Sequence, residues 1–179
     1  MDAPEILVFD TGPLSHFARQ QWLGALKAVV GARTALIPDV VLDELRIGAA
    51  QDGRIQAVLD ADWLERRDLS SGVEILAFAQ FSSLLVRGDR NRGEAGVLAL
   101  AATTGGTAII DDGAARHAAQ AHGVSHRGTL ALLCEAVRLG LLTVPLVSAL
   151  ADDLISGEYR LPFKPGGFAK WAAEAGLLS

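Results

Sequence analysis

The sequence predicts an α/β fold in three layers, a mainly parallel sheet of four or five strands between helices on both faces. Three observations carry that expectation. Short continuous apolar runs, Ile6-Leu7-Val8-Phe9, Ala35-Leu36-Ile37 and Thr107-Ala108-Ile109-Ile110, have the pattern of strands buried on both faces. Between them, apolar residues recur at helical spacing. Half of the 179 residues are hydrophobic and only 21% are charged, with a mean hydropathy of +0.30. That is apolar surface enough for one core, and it excludes intrinsic disorder.

The first run stops at Asp10-Thr11-Gly12-Pro13, and Pro13 suits the first turn of a helix. Leu14, Phe17 and Ala18, then Leu23, Leu26 and Val30, predict two short helices broken near Gln20-Gln21. The second strand, 35–37, leads through Pro38 into a helix over 39–50, with Asp39 or a neighbour in its N-terminal turn. Ile55, Val58 and Leu59 mark a further helical turn, and Trp63-Leu64 a short extended piece. A helix over 73–86 precedes the polar loop Arg87-Gly88-Asp89-Arg90-Asn91-Arg92-Gly93. The next helix, 94–103, is stopped by Gly105-Gly106, and strand 107–110 follows, expected to lie beside 6–9 at the centre of the sheet. A helix over 114–122, a weak strand near Val124 and an apolar helix over 130–139 complete a domain assigned to 1–142. Residues 143–179, with helices over 144–155 and 168–175, read as a helical extension packed on that domain or on a partner.

No run of eighteen apolar residues spans a membrane. The opening Met1-Asp2-Ala3-Pro4-Glu5 lacks the positive region of a secretory leader. Cys134 stands alone, which fits a reducing cytoplasm. A net charge of −5 argues against a generally basic surface, yet carboxylates that hold cations still bring phosphates to a protein.

The acids carry the chemistry. In an open parallel sheet, ligands bind at the carboxyl ends of the strands, and two strands end there in acids, Asp10 and the pair Asp111-Asp112. Each is also a candidate helix cap. Glu44 has Val40, Val41, Ile47 and Gly48 as helical neighbours, so it lies on or beside an apolar face, where an unpaired carboxylate is costly. Glu94 opens a helix, a position that favours an acid in any case. Carboxylates drawn together stay ionised only with cations between them. With oxygen donors and no Cys or His cluster, Mg²⁺ or Mn²⁺ are the natural ions, suited to hydrolysis of a phosphodiester.

In order, Val8-Phe9-Asp10-Thr11, Asp39-Val40-Val41-Leu42-Asp43-Glu44, Gly93-Glu94-Ala95 and Ile110-Asp111-Asp112 resemble the PIN-domain ribonucleases, most nearly their VapC-like toxin branch. The likeness runs over about residues 6–142. It implies a three-layer PIN-like fold and an Mg²⁺- or Mn²⁺-dependent endoribonuclease acting on single-stranded RNA, with an antitoxin as a partner and a homodimer as the assembly. Carried over by position, Asp10, Glu44, Glu94 and Asp112 match the family's catalytic acids. Asp10, Glu94 and Asp112 are the expected metal ligands, and Thr11 matches the hydroxyl beside the first acid. Glu94 stands where many members have Asp. The Asp111-Asp112 pair leaves the fourth acid open, with Asp112 favoured and Asp111 supporting.

Arg87, Arg90 and Arg92 form a basic loop next to Glu94 and are candidate RNA contacts, or a solvated loop. Arg116 is a candidate phosphate contact, or the partner of Asp112 in an i,i+4 ion pair. Thr129 beside Arg127 offers a helix N-terminus to a phosphate, or caps its helix. His16, His117, His122 and His126 have no ligand spacing. Two other readings compete. One is a non-catalytic binding module. The other is an aspartic-protease-type enzyme built on Asp10-Thr11-Gly12, which requires an essentially all-β chain with a second such motif. A phosphotransfer receiver built on Asp111-Asp112 lacks the lysine it needs.

Overall fold

The computed structural model describes residues 4–178. The reading of the opening residues as no leader, and the outer limits at 1 and 179, fall partly outside them. Five strands form one parallel sheet: β1 (Ile6–Phe9), β2 (Thr34–Pro38), β3 (Leu64–Arg67), β4 (Thr107–Ile109) and β5 (His126–Arg127), in the order β3-β2-β1-β4-β5. Leu7, Val8 and Phe9 are all fully buried. Successive strand residues point to opposite faces, so both faces of β1 are covered by helices.

The helices are α1 (Thr11–Arg19), α2 (Leu23–Val30), α3 (Asp39–Gln51), α4 (Gln56–Leu59), α5 (Gly72–Leu85), α6 (Arg92–Thr104), α7 (Gly113–Ala121), α8 (Thr129–Arg138), α9 (Val144–Ser156) and α10 (Phe168–Glu174). α6 is the core helix. It packs on β1, β2 and β4 and is covered in turn by α5, and seven consecutive residues, Ala95 to Ala101, are buried along it. α5 is started by a reciprocal cap, Ser71 accepting from the Glu74 amide and Glu74 from the Ser71 amide. Among the described residues, no helix is long and apolar enough to cross a membrane.

Two strands differ from expectation for the same reason. β3 runs on past Leu64 through Glu65, Arg66 and Arg67, all exposed. β5 is His126-Arg127 rather than Val124. Both are edge strands, and edges are kept polar to block pairing with other chains, so no apolar run marks them. β4 ends at Ile109, one residue early, although the Ile110 amide still donates to Arg127 O at 3.0 Å. The all-β arrangement that the protease reading of Asp10-Thr11-Gly12 requires is not this fold.

Residues 143–178 pack onto the same body. Val147, Leu150, Ala151 and Leu154 of α9, and Phe168 and Ala172 of α10, are fully buried in the one core. α9 lies on α8, Trp22 Nε1 donates to Asp153 Oδ2 at 2.8 Å, and Arg138 donates to Leu177 O at 2.6 Å. Between α9 and α10 the chain turns back, and Tyr159 reaches the carboxyl edge of the sheet, where its hydroxyl donates to Asp111.

Candidate active site

β1 and β4 are neighbours, in register Leu7↔Thr107, Val8↔Ala108 and Phe9↔Ile109. The chain leaves β1 toward β2 on one side, while β4 and β5 fill the other. This is the topological switch point of the sheet, where a crevice opens beyond the strand ends. Asp10 follows β1 directly, and Asp111 and Asp112 follow β4, so the three acids flank that crevice.

Asp10 is buried, and its Oδ1 has no hydrogen-bond partner. Burial, then the charge of Glu94 and next that of Glu44, push its pKa up to about 8. The backbone amides of Thr11 and Gly12 face the carboxyl and favour its charged form without closing a cap hydrogen bond. Without a cation, Asp10 therefore holds its proton at neutral pH.

Glu44 is clamped between two helix starts. Its Oε1 accepts the Gly93 amide at 2.9 Å and its Oε2 accepts the Thr11 hydroxyl at 2.5 Å. The carboxylate thus ties α3 to the first turns of α1 and α6. Gly93 permits this, because a Cβ there would lie 2.5 Å from Glu44 Oε2. Gly96, one turn on, lets α3 and α6 approach, since a Cβ would stand 2.2 Å from Val40 Cγ2.

Glu94, in the first turn of α6, is half-buried, and its pKa is raised by burial and then by the charges of Glu44 and Asp112. Asp10, Glu44 and Glu94 therefore stand in a common field, which Asp112 joins through Glu94. As the side chains lie, no three Asp, Glu, His or Cys residues among those described converge closely enough to hold a metal ion. A divalent cation nonetheless fits the residues present. The donors are all oxygen, a buried carboxylate oxygen lacks a partner, and the mutual repulsion is what a cation relieves.

The neighbours Asp111 and Asp112 have different surroundings. Asp111 accepts from the Thr129 amide at 2.8 Å, the Thr129 hydroxyl at 2.6 Å and the Tyr159 hydroxyl. Asp112 is exposed and caps α7, accepting the Ala115 amide at 2.9 Å. Thr129 is buried and spent on Asp111. Arg127 is paired with Glu135 at 2.9 Å and Glu5 at 3.3 Å. Neither is free for a phosphate.

Arg87, Arg90 and Arg92 are exposed. Their loop is pinned by Asn91, whose amide donates to Leu85 O at 3.1 Å. Among the described residues, none of the three pairs with a carboxylate. Arg92 lines, with Glu44, Asp43 and Asp89, a cleft of about 370 Å³. The expected i,i+4 pair between Arg116 and Asp112 is absent. Arg116 instead lines a second cleft with Asp111 and Tyr159.

Sequence reasoning missed the Gly93–Glu44 clamp and the Thr129–Asp111–Tyr159 cluster. Tyr159 is the one tyrosine of the chain, but it lies between elements, where no periodicity marks it. His16 was also passed over. Its ring packs on Tyr159 at 4.6 Å, and burial lowers its pKa.

A sequence profile described as the PIN domain matches residues 6–164, from β1 past the end of α9. No curated protein matches the chain. Among solved structures, a chain of the VapBC2 complex of Rickettsia felis, crystallised with a DNA fragment from its promoter, superposes with a TM-score of 0.51 at 14% identity. The match covers 69% of this chain and 98% of that one, and at such identity it is a likeness of fold. The profile spans most of the sequence, and the acids at the β1–β4 crevice lie inside it: the chain belongs to the PIN-domain family.

Proposed function

We propose that the protein is an Mg²⁺- or Mn²⁺-dependent endoribonuclease that hydrolyses phosphodiester bonds of single-stranded RNA. The observation that carries this reading is Asp10, a buried carboxyl with an unpartnered oxygen at the switch point, set among three further acids.

Asp10, Glu94 and Asp112 would hold the cation, with Asp10 rigidly placed because it directly follows β1, a central strand whose last three residues are buried. Bound there, such an ion would supply a water of lowered pKa and charge neutralisation at the phosphate. Glu44 already accepts two hydrogen bonds, so it orients water at the rim, with Thr11 and Gly93 fixing its rotamer. Asp111 is structural and holds the start of α8 and the segment around Tyr159 against the crevice. Arg87, Arg90 and Arg92 contact phosphates of the strand on one side, and Arg116 on the other.

Residues 1–142 form the nuclease part in this reading, and 143–179 an extension that completes its wall. The protein acts in the cytoplasm as the toxin of a toxin–antitoxin pair, with a homodimer as the assembly. The VapBC2 likeness supports the toxin reading. The exposed Val73, Ile75 and Leu76 of α5 (68%, 53% and 73%) support a protein interface.

The test is cleavage of an end-labelled single-stranded RNA by the purified chain. Cutting in Mn²⁺ that stops in EDTA and in Asp10→Asn supports the reading. Cutting that survives both overturns it. A chain that neither cuts RNA nor binds Mn²⁺ is instead the non-catalytic binding module.

A further inference from the structure

The chain segment between α9 and α10 builds a feature that the four acids do not explain. Beside the crevice lies a cleft of about 550 Å³, within the range of about 300–1,000 Å³ typical of pockets for single small molecules. Its walls are of two kinds. Leu161 and the half-buried Trp171 give an apolar, flat side. Trp171 is held there by Phe163 and Phe168, at ring distances of 5.3 and 6.4 Å. Arg116 and Arg160 give a cationic side, and among the described residues neither pairs with a carboxylate. The acid in the cleft, Asp111, already accepts from Thr129 and Tyr159. Two guanidinium groups against one carboxylate leave the site net cationic around an apolar slot, which is the complement of a flat ring joined to a phosphate.

Its position matters as much as its chemistry. Asp111 is the residue before Asp112, and Arg116 lies one turn along α7 from it. We propose that this cleft binds one nucleotide of the RNA strand adjacent to the scissile bond, the base against Trp171 and Leu161 and its phosphate on Arg116 and Arg160. The proposal rests on the nuclease reading above and adds a specificity subsite that the C-terminal extension supplies. A strand then runs from the Arg87–Arg92 loop across the acids and into the cleft, so the base that fits the slot sets where the chain is cut.

The test uses the full chain in EDTA, so that no cation in the crevice holds a phosphate. Adenosine and uridine 5′-monophosphates are titrated by NMR, with inorganic phosphate as the comparison. The expected result is saturable binding of at least one nucleotide with Kd of about 1 mM, and phosphate at least about tenfold weaker. Arg116→Ala and Arg160→Ala, both at exposed positions, each weaken it about fivefold or more, and Lys27→Ala, exposed and outside the cleft, leaves it unchanged. In the cleavage assay Arg160→Ala raises KM and shifts the preferred cut sites while kcat is kept. Phosphate binding as tightly as the nucleotides, affinity unchanged in the Arg116→Ala/Arg160→Ala double variant, or no binding of either nucleotide up to about 10 mM overturns the subsite. These outcomes do not depend on catalysis. RNA cleavage without nucleotide binding removes the subsite and leaves the nuclease, and nucleotide binding without any cleavage does the reverse.

Discussion

A methyl group at residue 93 would stand 2.5 Å from Glu44 Oε2, so the glycine beside Glu94 is there for the other glutamate. Gly93→Ala drives the Glu44 carboxylate from its two donors without touching a proposed metal ligand. Displacements of about 1 Å in a site cost roughly 10²-fold in rate. The variant is therefore expected to lose about ten- to a hundredfold in kcat on RNA and to keep its circular dichroism spectrum, with Mn²⁺ affinity little changed. Asp10 gives the second prediction at this scale. Its folded pKa of about 8 lies above the 3.8 of a free aspartate, so between those values the folded chain holds a proton that the unfolded chain has released. Stability without metal then falls as pH rises from about 4 to about 8 and levels off above. Asp10→Asn lacks this loss. Melting in EDTA is expected to show Asp10→Asn several degrees above wild type at pH 8.5 and the two close together near pH 4. Equal melting temperatures at both pH values would count against the buried carboxyl as drawn.

Among the elements, the loop before α6 shows what sequence alone can and cannot resolve. Its three arginines and the acid behind them are legible as a basic stretch. That Asn91 pins the loop to α5 with a side-chain bond to Leu85 O is not, because the partner residue has no polar side chain to signal it. If these arginines track phosphates, Arg90→Ala and Arg92→Ala each reduce the slope of log affinity against log salt by about 0.7 for a single strand. kcat stays near wild type. The check is RNA binding by fluorescence anisotropy across a salt series. The helices and central strands were legible from apolar spacing, because buried faces dictate it. β3 and β5 were legible only at one end or a neighbouring residue, because edge strands carry charge. Helix ends moved by one or two residues where caps such as Asp112 on α7, rather than the apolar pattern, set the start.

For the molecule as a whole, the topology does the gathering. A parallel sheet ordered β3-β2-β1-β4-β5 places the residues after β1 and β4 side by side although a hundred positions separate them in sequence. α3 and α6 deliver Glu44 and Glu94 to the same edge through the close approach at Gly96. The order of the acids was legible in the sequence, but the different surroundings of Asp111 and Asp112 were not. Those depend on Thr129 and Tyr159, 18 and 48 residues away. That difference gives the sharpest test of one cation centre built from Asp10, Glu94 and Asp112. Mn²⁺ is titrated by calorimetry into wild type, Asp111→Asn and Asp112→Asn at pH 6.5 and pH 8. The account predicts binding by wild type, up to about tenfold tighter per pH unit below 8 because the Asp10 proton must leave. It predicts a loss of about tenfold or more in Asp112→Asn and affinity near wild type in Asp111→Asn. No binding by wild type at either pH, or an equal loss in the two variants, would contradict it.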